Sequence, residues 1–217
     1  GNTWLYLYAF QNNAEFLSAD GRTCTLYSPA AEEALQFIVD GYDLVGGYEA
    51  AKGFETGFVG GENDPFILGK IAMKIDGDWI LNNLSRYGPN VDFSTAPAPV
   101  PDDRYYKRGR FADEPDTFIT WVGGFSLAIP EGARNVEGAW RYIKFATSVE
   151  GRLVENRAQR DWERRRGRTF MTRIQGNIQS NEALFEEFRP ADPNFAQALR
   201  THIDMMPYSG IRPVPCW

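Results

Sequence analysis

Histidine and cysteine are nearly missing from this chain of 217 residues, which holds one of the first, His202, and two of the second, Cys24 and Cys216. A single imidazole cannot build a His-based zinc site and leaves almost no room for Ser-His-Asp chemistry, so no metal and no catalytic residue is assigned. The cysteines stand near opposite ends of the chain; both are read as free, and no cofactor is implied. Basic residues are outnumbered too, 23 against 29 acidic ones, giving a formal charge of −6 and a pI near 5.0. That balance argues against a nucleic-acid or anionic-membrane partner, since either needs a net basic face. No apolar run approaches the ~18 residues of a membrane span. An initiator methionine and a basic-then-apolar leader are also lacking, and the chain closes on Cys216 and Trp217 without a polar tail. It reads as a processed protein or a fragment, with the fragment favoured.

What is plentiful is aromatic: 14% of residues, with six Trp and ten Tyr, in an otherwise ordinary globular composition. The most informative stretch is Phe66 to Trp79. Ile71, Met73 and Ile75 alternate with Ala72 and Lys74, the period of a strand, and Asp76, Gly77 and Asp78 stop it. From Trp79 to Leu84 the spacing turns helical, so Asp78 is expected to be an N-cap. An indole beside a glycine at a strand-to-helix junction offers an apolar face at the strand's carboxyl end, where open α/β sheets bind ligands.

The same reading places the other elements. Residues 4–10 are apolar and aromatic but too short for periodicity to decide helix against strand. Asp20 and Gly21 mark a turn. Ser28 and Pro29 open a helix with Ala31, Leu35, Ile38, Val39 and Tyr42 on one face, ended by Gly46 and Gly47. Residues 53–65 form a glycine-rich acidic loop, 92–96 a short strand, and the polar connection from the proline run at 97–101 to Asp116 a surface segment. Phe125, Leu127 and Ile129 alternate as a second strand. Asn135 caps a helix whose stripe includes Val136, Trp140 and Ile143, so Trp140 is read as core. A further turn or two follows at 150–156, and helices are expected at about 181–188 and 194–203.

Each chemical candidate carries a bland reading beside the sharp one. Trp79 and Trp121 adjoin glycines at element boundaries and are either ligand platforms or half-buried rings pinning a loop. Trp4 and Trp217 have looser contexts. Gly123 and Gly124 could bring backbone N–H groups to a ligand or merely form a hinge or bulge. Asp76 and Asp78 could act as a general acid and base on a glycoside, though a turn and a cap account for them. Seven arginines lie between Arg157 and Arg173, but the chain is acidic and only Trp162 is interleaved, so a nucleic-acid role is set aside. Residues 57–61 lack the spacing of a phosphate cradle, and Asn83 to Ser85 match a glycosylation acceptor on a predicted helix.

Taken in order, several segments resemble the extracellular solute-binding proteins of ABC importers, in particular the sugar-binding group. They are Ser28 to Asp43; Phe66 to Trp79, similar to the family's F-x-x-G-K-x-A-M…G-x-W run; Val122 to Pro130; Asn135 to Ser148, similar to N-x-E-x-A-W-x-x-I-K-F; and Arg212 to Trp217, similar to R-P…P-x-[WY]. The resemblance implies an α/β, type II periplasmic-binding-protein-like fold of two lobes that close on a ligand without catalysis. Residues 1–121 and 164–217 would belong to the second lobe and 122–163 would cross to the first, whose N-terminal half has no counterpart in this sequence. It further implies ligand contacts from Trp79, Asp78, Trp121, Gly123, Gly124, Trp4, Trp217 and Arg212, the role of Asp78 being the one where the family varies. The partners implied are a small-molecule solute, of carbohydrate class, and the transmembrane subunits of an ABC permease, for a monomer that is periplasmic or extracellular, free or lipid-anchored. A carbohydrate-active enzyme using Asp76 and Asp78, or Glu62 and Asp64, a receptor for peptide or polyol, and a lobe-sized interaction module are the alternatives.

Overall fold

The computed structural model describes residues 3–58 and 60–211. In chain order its helices are α1 (Thr3–Gln11), α2 (Pro29–Leu44), α3 (Tyr48–Thr56), α4 (Trp79–Tyr87), α5 (Asp102–Tyr105), α6 (Val136–Ala146), α7 (Val149–Arg164), α8 (Ile178–Phe188) and α9 (Pro193–Met205). Two strands, β1 (Thr120–Val122) and β2 (Ser209–Ile211), pair in parallel with Trp121 opposite Gly210. Among the described residues the chain is therefore helix-rich, with one small parallel sheet, in keeping with the α/β class.

Helix starts follow from side chains that accept the first free backbone N–H groups. Ser28 Oγ accepts from Ala31 N, with Pro29 at the first helical position of α2; Asn135 Oδ1 accepts from Gly138 N at 2.8 Å; Asp192 Oδ1 accepts from Asn194 N and Phe195 N ahead of α9. Past the end of α2, Gly46 and Gly47 take φ of 93° and 91°, a region costly for side-chain-bearing residues. Residues 4–10, left open by periodicity, are helical. Helix α7 is longer than expected and carries Arg157, Arg160 and Arg164 of the arginine cluster, because Ser148 caps it and neither proline nor glycine falls between Gly151 and Gly167.

Three expected strands do not form. Residues 71–77 and 92–96 run without a ladder partner, and β1 stops at Val122, leaving Phe125 fully exposed and Leu127 half-exposed. Alternation is written locally, but a strand needs a neighbour to take its N–H and C=O groups, and none of the described segments supplies one. Trp140 is corrected as well: it is 49% exposed, and no residue of α6 is buried, because the α7 helix that packs beside it covers the stripe only in part. On α2 the buried residues are Ala31 and Ala34, while Leu35, Val39 and Tyr42 stay exposed.

The chain divides into two compact units. The first takes Gly1–Val59, Pro97–Gly123 and Met205–Trp217. Its α1 and α2 pack through small side chains, Ala9 of α1 with Ala14 of the turn after it against Ala31 and Ala34, with Leu5, Tyr8 and Phe16 around them. The polar connection before Asp116 proves to be structural: its Arg104 is 1% exposed and stacks over Phe111, itself buried. Arg104 Nε donates to the Gln11 carbonyl at 2.6 Å, Nη1 donates to the Asp116 carbonyl at 2.9 Å, and Nη2 donates to Asn13 Oδ1. Beside it, Asn12 Nδ2 donates to the Ala30 carbonyl and Arg110 pairs with Glu33, so the end of α1 is tied to two distant segments.

The second unit takes Gly60–Ala96 and Gly124–Asp204. Its core joins Ile80, Leu81 and Leu84 of α4 to Phe195, Ala198, Leu199 and Ile203 of α9, with Phe93 and Met171 between them. Burying each of the larger side chains contributes roughly 1.5–3 kcal/mol. The extended run from Met171 to Gln175 has no sheet and is held by side chains instead. Thr172 Oγ1 donates to buried Asn156 Oδ1 at 2.8 Å; Ile174 N donates to Asp78 Oδ2 at 2.9 Å; and Asn181 both accepts from Gln175 N and donates to the Gln175 carbonyl. The bonds at Ile174 and Gln175 satisfy backbone groups that a ladder would otherwise take.

Candidate functional site

The sequence-derived candidates fall into two groups, one in each unit. In the second unit, Trp79 begins α4 and its ring covers Gly77: a β-carbon at residue 77 would stand 2.1 Å from Trp79 Cζ3. Only glycine permits that approach. Although it lies at the head of a helix whose next two residues are buried, Trp79 is 46% exposed. The result is a ring seated on backbone, with apolar area left facing outward.

Around it the carboxylates are committed elsewhere. Lys74 Nζ lies 2.8 Å from Asp64 Oδ2 and 2.7 Å from Asp76 Oδ2. Burial works against the Asp64 anion, but the hydrogen bond from Lys74 and those from the backbone N–H groups of Phe66 and Ile67 outweigh it and hold its pKa below the usual carboxylate range. Burial likewise works against the Lys74 ammonium, and the two carboxylates overcome it, so the Lys74 pKa is raised. Asp76 Oδ1 accepts from Gly77 N. Asp78 stands at the N-cap position but makes no capping bond; its backbone is already helical, and its carboxylate reaches Ile174 N instead. The expectation of Asp78 as a capping side chain is thus corrected. Asp64, Asp76 and Asp78 hold a turn and a strand-like run in place, so each of these three carboxylates is occupied by structural bonds. Nor is the glycosylation pattern an open one, since Ser85 is buried within α4.

In the first unit, Trp121 occupies the centre of β1. Its ring stacks on Tyr6 at 6.5 Å and 11°, and a β-carbon on Gly123 would stand 2.8 Å from it. The indole Nε1–H is buried and has no acceptor among the described residues. Tyr6, Phe10 and Phe16 form a cluster of aromatics beneath it, and Phe10 approaches the β2 backbone at Gly210, where a β-carbon would clash at 2.4 Å. Sequence reasoning missed these neighbours, since the three rings lie on α1 and the following turn and meet β1 only through the fold. Trp4 lies on α1, partly buried. Gly124 belongs to the second unit and has open space around it. Arg212 and Trp217 lie outside the described residues, as does Cys216; Cys24 is free and exposed.

Grooves within the units lie apart from these residues. One, of about 530 Å³, runs along α8 and α9 between Phe185, Arg189, Arg200 and Asp204; another, of about 270 Å³, is bounded by Pro115 to Phe118, Met205 and Tyr208. In the first, Arg200 is engaged by Glu182 and Asp204, which raise its pKa.

Among known proteins, the family model described as bacterial extracellular solute-binding protein matches residues 1–152. No curated protein and no solved structure shows significant similarity. The matched span contains Trp4, Trp79, Trp121, Gly123 and Gly124, and it leaves out Arg212 and Trp217. With more than half of its length matched, the chain belongs to the bacterial extracellular solute-binding proteins.

Proposed function

We propose that this chain is the substrate-binding component of an ABC importer and that it captures a sugar or oligosaccharide. The observation that carries the reading is Trp79: its ring rests on the Gly77 backbone and keeps nearly half of its surface open, inside the span that matches the family. A ring supported from behind loses little freedom when a C–H-rich sugar face stacks on it, and its quadrupole favours that contact. Trp121, in the other unit, is the second aromatic of the proposed set: its ring is backed by Tyr6 and covers Gly123. Trp4, Gly124, Asp78, Arg212 and Trp217 complete the proposed set, Asp78 through the segment that it holds at Ile174.

In the type II fold that the family implies, the solute is buried between two lobes that close by a hinge, and the closed form is presented to the transmembrane subunits of a permease. Residues 1–121 and 164–217 are assigned to one lobe and 122–163 to a segment crossing to the other. The protein works as a monomer in the periplasm or outside the cell, free or lipid-anchored, and returns its solute chemically unchanged.

The test is calorimetric titration against a panel of mono- and oligosaccharides, repeated with Trp79→Ala. Binding that is lost in the variant, with the sugar recovered intact, supports the reading; absence of binding to every sugar overturns the carbohydrate assignment, and recovery of cleaved sugar overturns the receptor role.

A further inference from the structure

The arginine cluster is used neither by the core nor by the proposed solute site. From Arg157 to Arg168 there are six arginines against two carboxylates, Asp161 and Glu163, a net of +4 in a chain whose total is −6, so the remainder carries −10. Arg157 is neutralised by Glu187 at 2.6 Å, and Arg168 lies 3.9 Å from Glu163. Arg164, Arg165 and Arg166 have no carboxylate within 4 Å among the described residues, and all three are exposed at the last turn of α7 and the turn after it. The negative end of the α7 dipole would account for one cation and not for three adjacent ones. Next to them Trp162 is 42% exposed, with the Arg166 guanidinium 3.7 Å from its ring centroid.

Although the total charge argues against an anionic-membrane partner, the charge is reversed locally here, and we infer that this end of α7 is a docking surface for the anionic headgroups of a lipid bilayer. Guanidinium forks match phosphate oxygens, and an indole with a polar edge suits the headgroup layer. The opposed charge elsewhere orients the molecule, drawing this end toward an anionic surface and repelling the rest. A planar, phosphate-bearing surface fits exposed arginines grouped at one helix end, Arg164 and Arg165 beside an Arg166 that lies over Trp162 and donates to its carbonyl, and the family places the protein outside the cytoplasm, where its solute meets a membrane. The inference concerns where the protein waits and is independent of which solute it takes.

Co-sedimentation of the protein with phosphatidylglycerol vesicles and with pure phosphatidylcholine vesicles tests it. Association is expected with the anionic vesicles alone, falling as salt is raised because the contacts are exposed. At about fivefold per arginine, the triple change Arg164→Gln, Arg165→Gln, Arg166→Gln should weaken it roughly a hundredfold. Arg22→Gln with Lys52→Gln, on exposed positions of the other unit, should leave it unchanged. No association with anionic vesicles at low salt, as expected if the patch serves an acidic protein instead, overturns the inference, and so does an equal loss in both variants.

Discussion

Gly77 and Trp79 occupy the same space to within a methyl group: the ring of one lies where the side chain of the other would begin, 2.1 Å from an ideal β-carbon. Replacing Gly77 with alanine must move the ring or the turn. The expected cost is about 1–3 kcal/mol of overpacking. On the proposed reading, sugar affinity falls at least tenfold along with a shift in tryptophan emission. Titration and urea unfolding of Gly77→Ala measure both, and unchanged affinity would remove Trp79 from the site.

Arg104 is the residue on which the first unit most depends. Its guanidinium bonds the Gln11 and Asp116 carbonyls and Asn13 from a fully buried position. Arg104→Met keeps the apolar stem over Phe111 but strands buried acceptors, and it should destabilise by about 2–4 kcal/mol. Arg104→Lys, with no planar fork, should rescue little. Denaturant midpoints of the two variants decide it; a midpoint shift worth under 1 kcal/mol would mean that water replaces the network.

The second unit should lose stability in acid through Asp64. Its folded pKa lies below that of the unfolded chain, so its contribution is whole above the ordinary value of about 3.9 and drains away as pH falls through the lowered folded value. Lys74 works in the opposite sense: with a raised folded pKa, its contribution is whole below about 10.4 and is lost as pH climbs through the folded value. Unfolding midpoints across pH should therefore be flat near neutrality and fall at both ends. Asp64→Asn should flatten the acid limb, and a limb left as steep would assign it to other carboxylates.

Asn181 stands in for a neighbouring strand by bonding both backbone groups of Gln175. Asn181→Ala should cost about 2 kcal/mol and raise amide exchange at Gln175, and Asp78→Ala should do the same at Ile174 with a smaller cost. Hydrogen exchange read at those two amides distinguishes a local release from general unfolding. Slow exchange at both in the variants would show that the segment is held by packing alone.

What the amino-acid sequence determined by itself was local or carried in motif order. The starts of α2, α6 and α9 were legible because a cap acts within three residues and an apolar stripe repeats every turn. The family was legible because its segments, from Ser28 through the Asn135 helix, keep their order. Tertiary structure alone decided the rest. Whether Ile71, Met73 and Ile75 pair depends on a partner, and β1 finds its own 89 residues later in Ser209 to Ile211. Arg104 reads as a solvated charge until Gln11, more than ninety residues away, presents a carbonyl to it. Trp140 has the spacing of a core residue and stays half-exposed, because periodicity states which face is apolar and only a packed neighbour makes that face an interior.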